Sequence, residues 1–105
     1  MVKRGDVYWL ELPDERRRPV CVLTREAALP VLRNVTVALV TRTVRDIPTE
    51  VPLTERNDGM PADCAISLDN LRTIPKAMLT ERIASLSGTQ MHEVCTALDI
   101  AAGCS

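Results

Sequence analysis

Phenylalanine is absent from the 105 residues, and tryptophan and tyrosine occur once each. A core built from this chain is therefore aliphatic. A single-strand binder that stacks successive bases on aromatic rings is disfavoured. The four cysteines, Cys21, Cys64, Cys95 and Cys104, form no C-x-x-C pair, and the single histidine, His92, supplies no zinc pattern. No metal or other cofactor is expected. No signal peptide is expected, and there is no apolar run near the ~18 residues that a membrane span needs. The expected location is cytoplasmic, with the thiols reduced, buried or incidental. Lysine is scarce as well, since 11 of the 13 basic residues are arginine, and a net charge of −1 excludes a general polycation. No repeat, low-complexity segment or linker is visible.

What remains fits one domain, residues 1–105, long enough to bury roughly two thirds of its unfolded surface without staples. Ten of the 13 basic residues fall in residues 1–56 beside eight acids, and three bases and six acids follow. Any basic patch thus belongs to the first half. Asp6–Leu12 reads as a strand with Val7, Trp9 and Glu11 on one face and Tyr8, Leu10 and Leu12 on the other. Pro13-Asp14-Glu15 opens a loop, and Pro19 to Thr24 gives a second strand, paired with the first as a hairpin. Arg25 to Arg33, broken by Pro30, is one helical turn or a loop. Val35–Thr43 is the strongest strand, because it is dense in β-branched residues.

Arg45-Asp46 is a turn. Thr49–Leu53 is a strand that Pro48 and Pro52 confine to an edge or a sheet end. Arg56 to Pro61 is a loop. Cys64–Leu68 reads as a short strand, followed by Asp69-Asn70 and then Leu71–Ile74, which Pro75 closes; a last strand covers Arg82–Leu86. Ser87-Gly-Thr-Gln90 has the form of a capping box. Met91, Val94, Cys95, Leu98, Ala101 and Ala102 then recur at helical spacing up to Gly103. His92 falls on the helix surface beside Glu93. The fold class is α+β: a run of short strands, forming a small twisted barrel, with one terminal helix.

The stretch that points to chemistry is Arg16-Arg17-Arg18-Pro19-Val20. Proline biases the preceding residue toward extended backbone and suits the first residue of a strand. Arg18 is thereby held at a strand mouth, where a planar guanidinium can grip a phosphate with two parallel hydrogen bonds. If the chain is extended from Arg16 onward, Arg16 and Arg18 share a face and Arg17 takes the other. The competing reading is a solvated basic loop.

Several segments, taken in order, resemble the MazF/PemK family of toxin endoribonucleases, or mRNA interferases. They are Arg4-Gly5-Asp6-Val7-Tyr8-Trp9, Arg18-Pro19-Val20, Val40-Thr41, Pro48-Thr49-Glu50-Val51, Asp63 with Leu71-Arg72-Thr73-Ile74, and Met91 with Ala97-Leu98. The resemblance covers nearly the whole chain. It implies an SH3-like barrel of the CcdB/MazF type with a C-terminal helix, and a homodimer neutralised by a cognate antitoxin. It also implies metal-independent, sequence-specific cleavage of single-stranded RNA.

In such cleavage the 2′-OH, which DNA lacks, attacks the adjacent phosphate. The ends left are a 2′,3′-cyclic phosphate and a 5′-OH. Arg18, Thr41 and Asp69 are then the catalytic candidates: Arg18 to hold charge on the phosphate, Thr41 to bond a nonbridging oxygen or orient the 2′-OH, and Asp69 as a base. Arg16, Arg17 and Arg42 would track the RNA backbone, with Thr43 and Asn70 in the same RNA-binding set. For Thr41 the plain alternative is a good strand former, and for Asp69 a surface turn former.

This chain departs from the family pattern in three places. The loop before Arg18 is short and lacks glycine and histidine. Cys64 stands where serine is usual. Ser67 and Asp69 occupy positions at which one branch of the family has an arginine and an aspartate. A different function on the same barrel is that of the CcdB poisons of DNA gyrase, which are noncatalytic. Those proteins end in Trp-Gly-Ile, whereas this chain ends Ala102-Gly103-Cys104-Ser105.

Overall fold

Alternation of apolar side chains along the strands decides the architecture. A computed structural model describes residues 1–13 and 16–104; Asp14 and Glu15, which fall in the expected loop between the first two strands, lie outside the described residues. The strands are β1 (Asp6–Leu10), β2 (Arg18–Val22), β3 (Asn34–Thr41), β4 (Glu50–Leu53), β5 (Cys64–Pro75) and β6 (Arg82–Ser85). They form one antiparallel sheet in the order β4-β5-β3-β2-β1-β6. The expected hairpin is present, with Leu10 opposite Arg18 and Val7 opposite Cys21.

Both faces of this sheet are apolar. Tyr8, Leu10, Val20, Val22, Val35, Val37 and Leu39 bury one face together with Ile74 and Leu79. Val7, Cys21, Ala38, Val40, Val51, Leu53, Ile66 and Leu68 bury the other, beneath Val94 and Ala97. The last two residues belong to the terminal helix α2, and a four-residue α1 precedes β5: α1 is Glu55–Asp58 and α2 is Gly88–Ala102. A sheet with a core on each side has to curl, so the strands make a half-barrel with α2 packed across β4 and β5.

The helix starts where the sequence signals it. Ser87 Oγ accepts the Gln90 N–H at 3.1 Å, and Gln90 Oε1 accepts the Ser87 N–H at 2.9 Å. It ends at Gly103, whose φ of 70° is the left-handed C-cap conformation. Gly5, which opens β1, is required twice over. Its φ is +86°, and a Cβ there would lie 2.8 Å from Met91 Sδ on α2.

Three expectations are corrected. The break at Asp69-Asn70 is not a strand end, because β5 runs unbroken from Cys64 to Pro75. Its register against β3 slips between Leu39, opposite Ser67, and Ala38, opposite Leu71. Leu68, Asp69 and Asn70 therefore form a bulge, which absorbs the turn-prone residues while the ladder continues on both sides. The first half of the loop expected from Arg56 is instead part of α1, capped by the Thr54 hydroxyl, which accepts from the Asn57 N–H at 3.0 Å. Asp58 answers by accepting the Thr54 N–H at 2.8 Å, so an aspartate completes this cap. Finally, β1 stops at Leu10 and β3 at Thr41, so Glu11, Leu12 and Thr43 lie beyond their strands.

Candidate active site: an arginine-lined cleft at the strand ends

The start of β2, the end of β3 and the segment leading into β5 meet at one end of the half-barrel. Between them is a cleft of about 440 Å³ bordered by Trp9, Arg16, Arg17, Arg18, Pro19, Val40, Arg42, Pro61, Ala62 and Cys64. Four arginines thus border one hollow, whose lining is otherwise mostly apolar. Such a site favours anions, because the low-dielectric walls leave the positive field less screened than open water would.

Arg18 is the half-buried member of the arginine run and is fixed by a specific bond. Its Nη2 donates to the Val40 carbonyl at 3.1 Å, bridging the mouth of β2 to the last turn of β3. Arg17 is held differently. Its guanidinium lies 4.1 Å from the centroid of the Trp9 ring, and its Nη1 lies 3.3 Å from Glu81 Oε1. The expectation that Arg17 points away from its neighbours is corrected in one respect, since all three arginines border the cleft. Regular strand begins only at Arg18, so the pleat does not govern Arg16 and Arg17.

The remaining candidates are not gathered with Arg18. Thr41 closes β3 opposite Ala65, and its hydroxyl accepts the Thr43 N–H at 3.1 Å, tying the two threonines into the turn around exposed Arg42. Asp69 and Asn70 occupy the β5 bulge and do not line the cleft. The Thr49 hydroxyl donates to Asp69 Oδ2 at 2.5 Å, and Asn70 Nδ2 donates to Ser67 Oγ at 2.8 Å. None of Thr41, Thr43, Asp69 and Asn70 lines the hollow. Exposed His92 lies on α2, away from the cleft.

Sequence reasoning did not name Trp9, Pro61, Ala62 or Cys64 as site residues. The hairpin register carries a usable signal for the first: pairing Leu10 with Arg18 sets Trp9 opposite Pro19, beside the arginines. Cys64 is a buried thiol bordering the cleft, and burial pushes its pKa up to about 11, with Asp63 and Asp58 adding to the rise. Cys21, inside the core, is pushed up to about 12, again by burial first, with Arg4 opposing and Asp6 adding. Neither is a nucleophile at neutral pH. Among the described residues, no three His, Cys, Asp or Glu side chains converge to hold a metal ion. No helix among them is long and apolar enough to cross a membrane.

A six-stranded antiparallel half-barrel, closed by a terminal helix and carrying such a cleft, is the MazF fold. The solved Mycobacterium tuberculosis toxin MazF-mt6 matches with a TM-score of 0.84 at 36% identity, over 95% of this chain and 98% of that one. An endoribonuclease from a mycobacterial species, solved in complex with its cognate antitoxin, matches with a TM-score of 0.88 at 26% identity, over 100% and 98% of the two chains. The probable endoribonuclease MazF5 of M. tuberculosis is 41% identical over 102 residues, which are 97% of this chain and 94% of that protein. A family model described as PemK-like, MazF-like toxin of type II toxin–antitoxin systems matches residues 3–102. The chain belongs to that family of toxins.

Proposed function

We propose that this toxin is a metal-independent, sequence-specific endoribonuclease that cuts single-stranded RNA and so inhibits translation and growth. The observation that carries the reading is the Arg18 guanidinium, fixed to Val40 at the head of a cleft with three further arginines. The reaction is an internal displacement. The 2′-oxygen forms a bond to phosphorus, the 5′-oxygen of the next nucleotide leaves, and the 2′ proton is removed while the leaving oxygen gains one. The ends are a 2′,3′-cyclic phosphate and a 5′-OH.

Arg18 stabilises the charge that builds on the phosphate. A guanidinium keeps its proton to very high pH, so its service is electrostatic rather than acidic. Arg16, Arg17 and Arg42 attract the backbone on either side, with Thr43 and Asn70 at the margins. Thr41 would donate its hydroxyl proton to a nonbridging oxygen from the end of β3. Asp69, hydrogen-bonded to Thr49 in the β5 bulge, does not line the cleft that holds Arg18, and would act as base only where bound RNA brings the 2′-OH to its carboxylate. The toxin works in the cytoplasm as a C2 homodimer, and an acidic antitoxin segment silences it by placing carboxylates where RNA phosphates bind. That the mycobacterial relative was solved with its cognate antitoxin supports the last point.

The test is cleavage by purified protein of a long mixed-sequence single-stranded RNA, and of the same sequence as DNA. Cutting of the RNA alone is expected, with 5′-OH ends that accept a phosphate from polynucleotide kinase without prior dephosphorylation. Cutting of both, or of neither, contradicts the reading.

A further inference from the structure

Aromatic platforms are nearly absent from this chain, yet its sole tryptophan borders the arginine cleft. Trp9 is only partly buried, although Val7 and Cys21 on the same face of the sheet are fully buried. Trp9 borders two hollows. One is the arginine cleft. The other, of about 250 Å³, is bordered by Glu11, Met78, Thr80 and Glu81 as well as Trp9 and Arg17. A tryptophan kept for packing would have its ring in the core, whereas this one is covered by a side chain that can leave.

That cover is Arg17. It stacks on the ring at 4.1 Å and pairs with Glu81 at 3.3 Å, and the two charged side chains are 45% and 62% exposed. An ion pair so open to water is weakly held and salt-screened. A phosphate entering the cleft offers Arg17 a better partner, since phosphate accepts two parallel N–H bonds from the guanidinium fork. We propose that Trp9 is a base-stacking subsite, covered in the free protein by Arg17 and opened when Arg17 exchanges Glu81 for an RNA phosphate. The subsite takes any base, because every base presents a π-face, and selects single strands, whose bases are not already stacked in a duplex. This rests on the ribonuclease reading and adds to it a place for a base beside the bound phosphate.

Because Trp9 is the only tryptophan, its emission, excited where tyrosine does not absorb, reports this subsite alone. The probe is a mixed-sequence single-stranded RNA with every 2′-hydroxyl methylated, which removes the nucleophile. An abasic strand with the same backbone serves as reference, and labelled-strand anisotropy gives both affinities. The base-bearing strand should quench Trp9 strongly and the abasic strand little. Trp9→Leu should weaken the base-bearing strand about tenfold and leave the abasic strand nearly unchanged, while Trp9→Phe should keep most of the difference. Glu81→Gln, which frees Arg17, should tighten both strands a few fold at low salt. Thermal melts establish that each variant is folded; should Trp9→Leu not fold, Trp9→Phe and the wild-type quench decide. Equal quenching by both strands, or an unchanged affinity ratio in Trp9→Leu, overturns the subsite and leaves the ribonuclease reading intact. Failure to bind either strand overturns both.

Discussion

Arg18 Nη2 donates to the Val40 carbonyl across 3.1 Å, so a side chain at the mouth of β2 is fastened to the backbone at the end of β3. One edge of the guanidinium is thereby oriented before any substrate arrives. The remaining donors keep the fixed planar fork that matches a phosphate. Lysine at the same place would carry the charge without the fork. The bond also explains why Pro19 matters. A proline directly after Arg18 holds it in extended backbone at the position from which Val40 is within reach.

The absence of any converging ligand set among the described residues leads to an expectation about metal removal. Cleavage should persist in excess EDTA at an unchanged rate. A reaction that stops in EDTA and returns with magnesium contradicts the internal 2′-OH displacement.

Several large apolar side chains, among them Val31, Val44, Ile47 and Leu71, are solvent-exposed in the single chain. Light scattering at micromolar protein should give twice the monomer mass. An acidic antitoxin peptide should compete with RNA for the dimer. A monomer mass throughout that range, or antitoxin binding that leaves cleavage unchanged, contradicts the proposed assembly.

The two buried thiols set an alkaline limit to stability. Cys64 has its pKa raised by burial to about 11 from the ordinary 9.0, and Cys21 to about 12. Between about pH 9 and those values the unfolded chain has released its protons and the folded chain has not. Stability is thus fully present below pH 9 and falls as pH rises. Melting temperature under reducing conditions should decline from about pH 9 upward, and Cys64→Ser should reduce that slope. A flat profile from pH 8 to pH 10 would contradict the assignment.

Much of the fold was legible because its signals are local. The capping box at Ser87 and Gln90, the Gly103 stop and the alternation in Val35–Thr41 each depend on neighbours in sequence. The continuity of β5 was not legible. Asp69-Asn70 reads as a break, and only pairing with β3 on both sides of it carries the strand through. In the same way, Arg18 could be picked out from the proline that follows it. Trp9 and Cys64 could not, because they meet the arginines only after the strands have paired and curled.

Helix α2 supplies a stability test separate from the chemistry. Ser87→Ala removes the hydroxyl that accepts the Gln90 N–H. The cost should be about 1 kcal/mol. For a domain of this size that lowers the melting temperature by roughly 4–8 °C. Gly5→Ala should cost more, because a φ of +86° and a 2.8 Å approach to Met91 Sδ both oppose a side chain. Melts in which Ser87→Ala is the more damaging of the two would contradict this ranking.

The central claim is that Arg18 stabilises the phosphate in the transition state, and single-turnover cleavage of one RNA tests it most directly. Arg18→Ala should slow the chemical step by about 10²–10³, or about 3–4 kcal/mol, while RNA binding weakens less because neighbouring arginines remain. Arg18→Lys should recover little. Arg56→Ala, which removes the same charge from α1 outside the cleft, should cleave at the wild-type rate. All three proteins should melt close to wild type. If Arg18→Ala cleaves within a few fold of wild type, or Arg56→Ala is equally impaired, the cleft is not organised around Arg18.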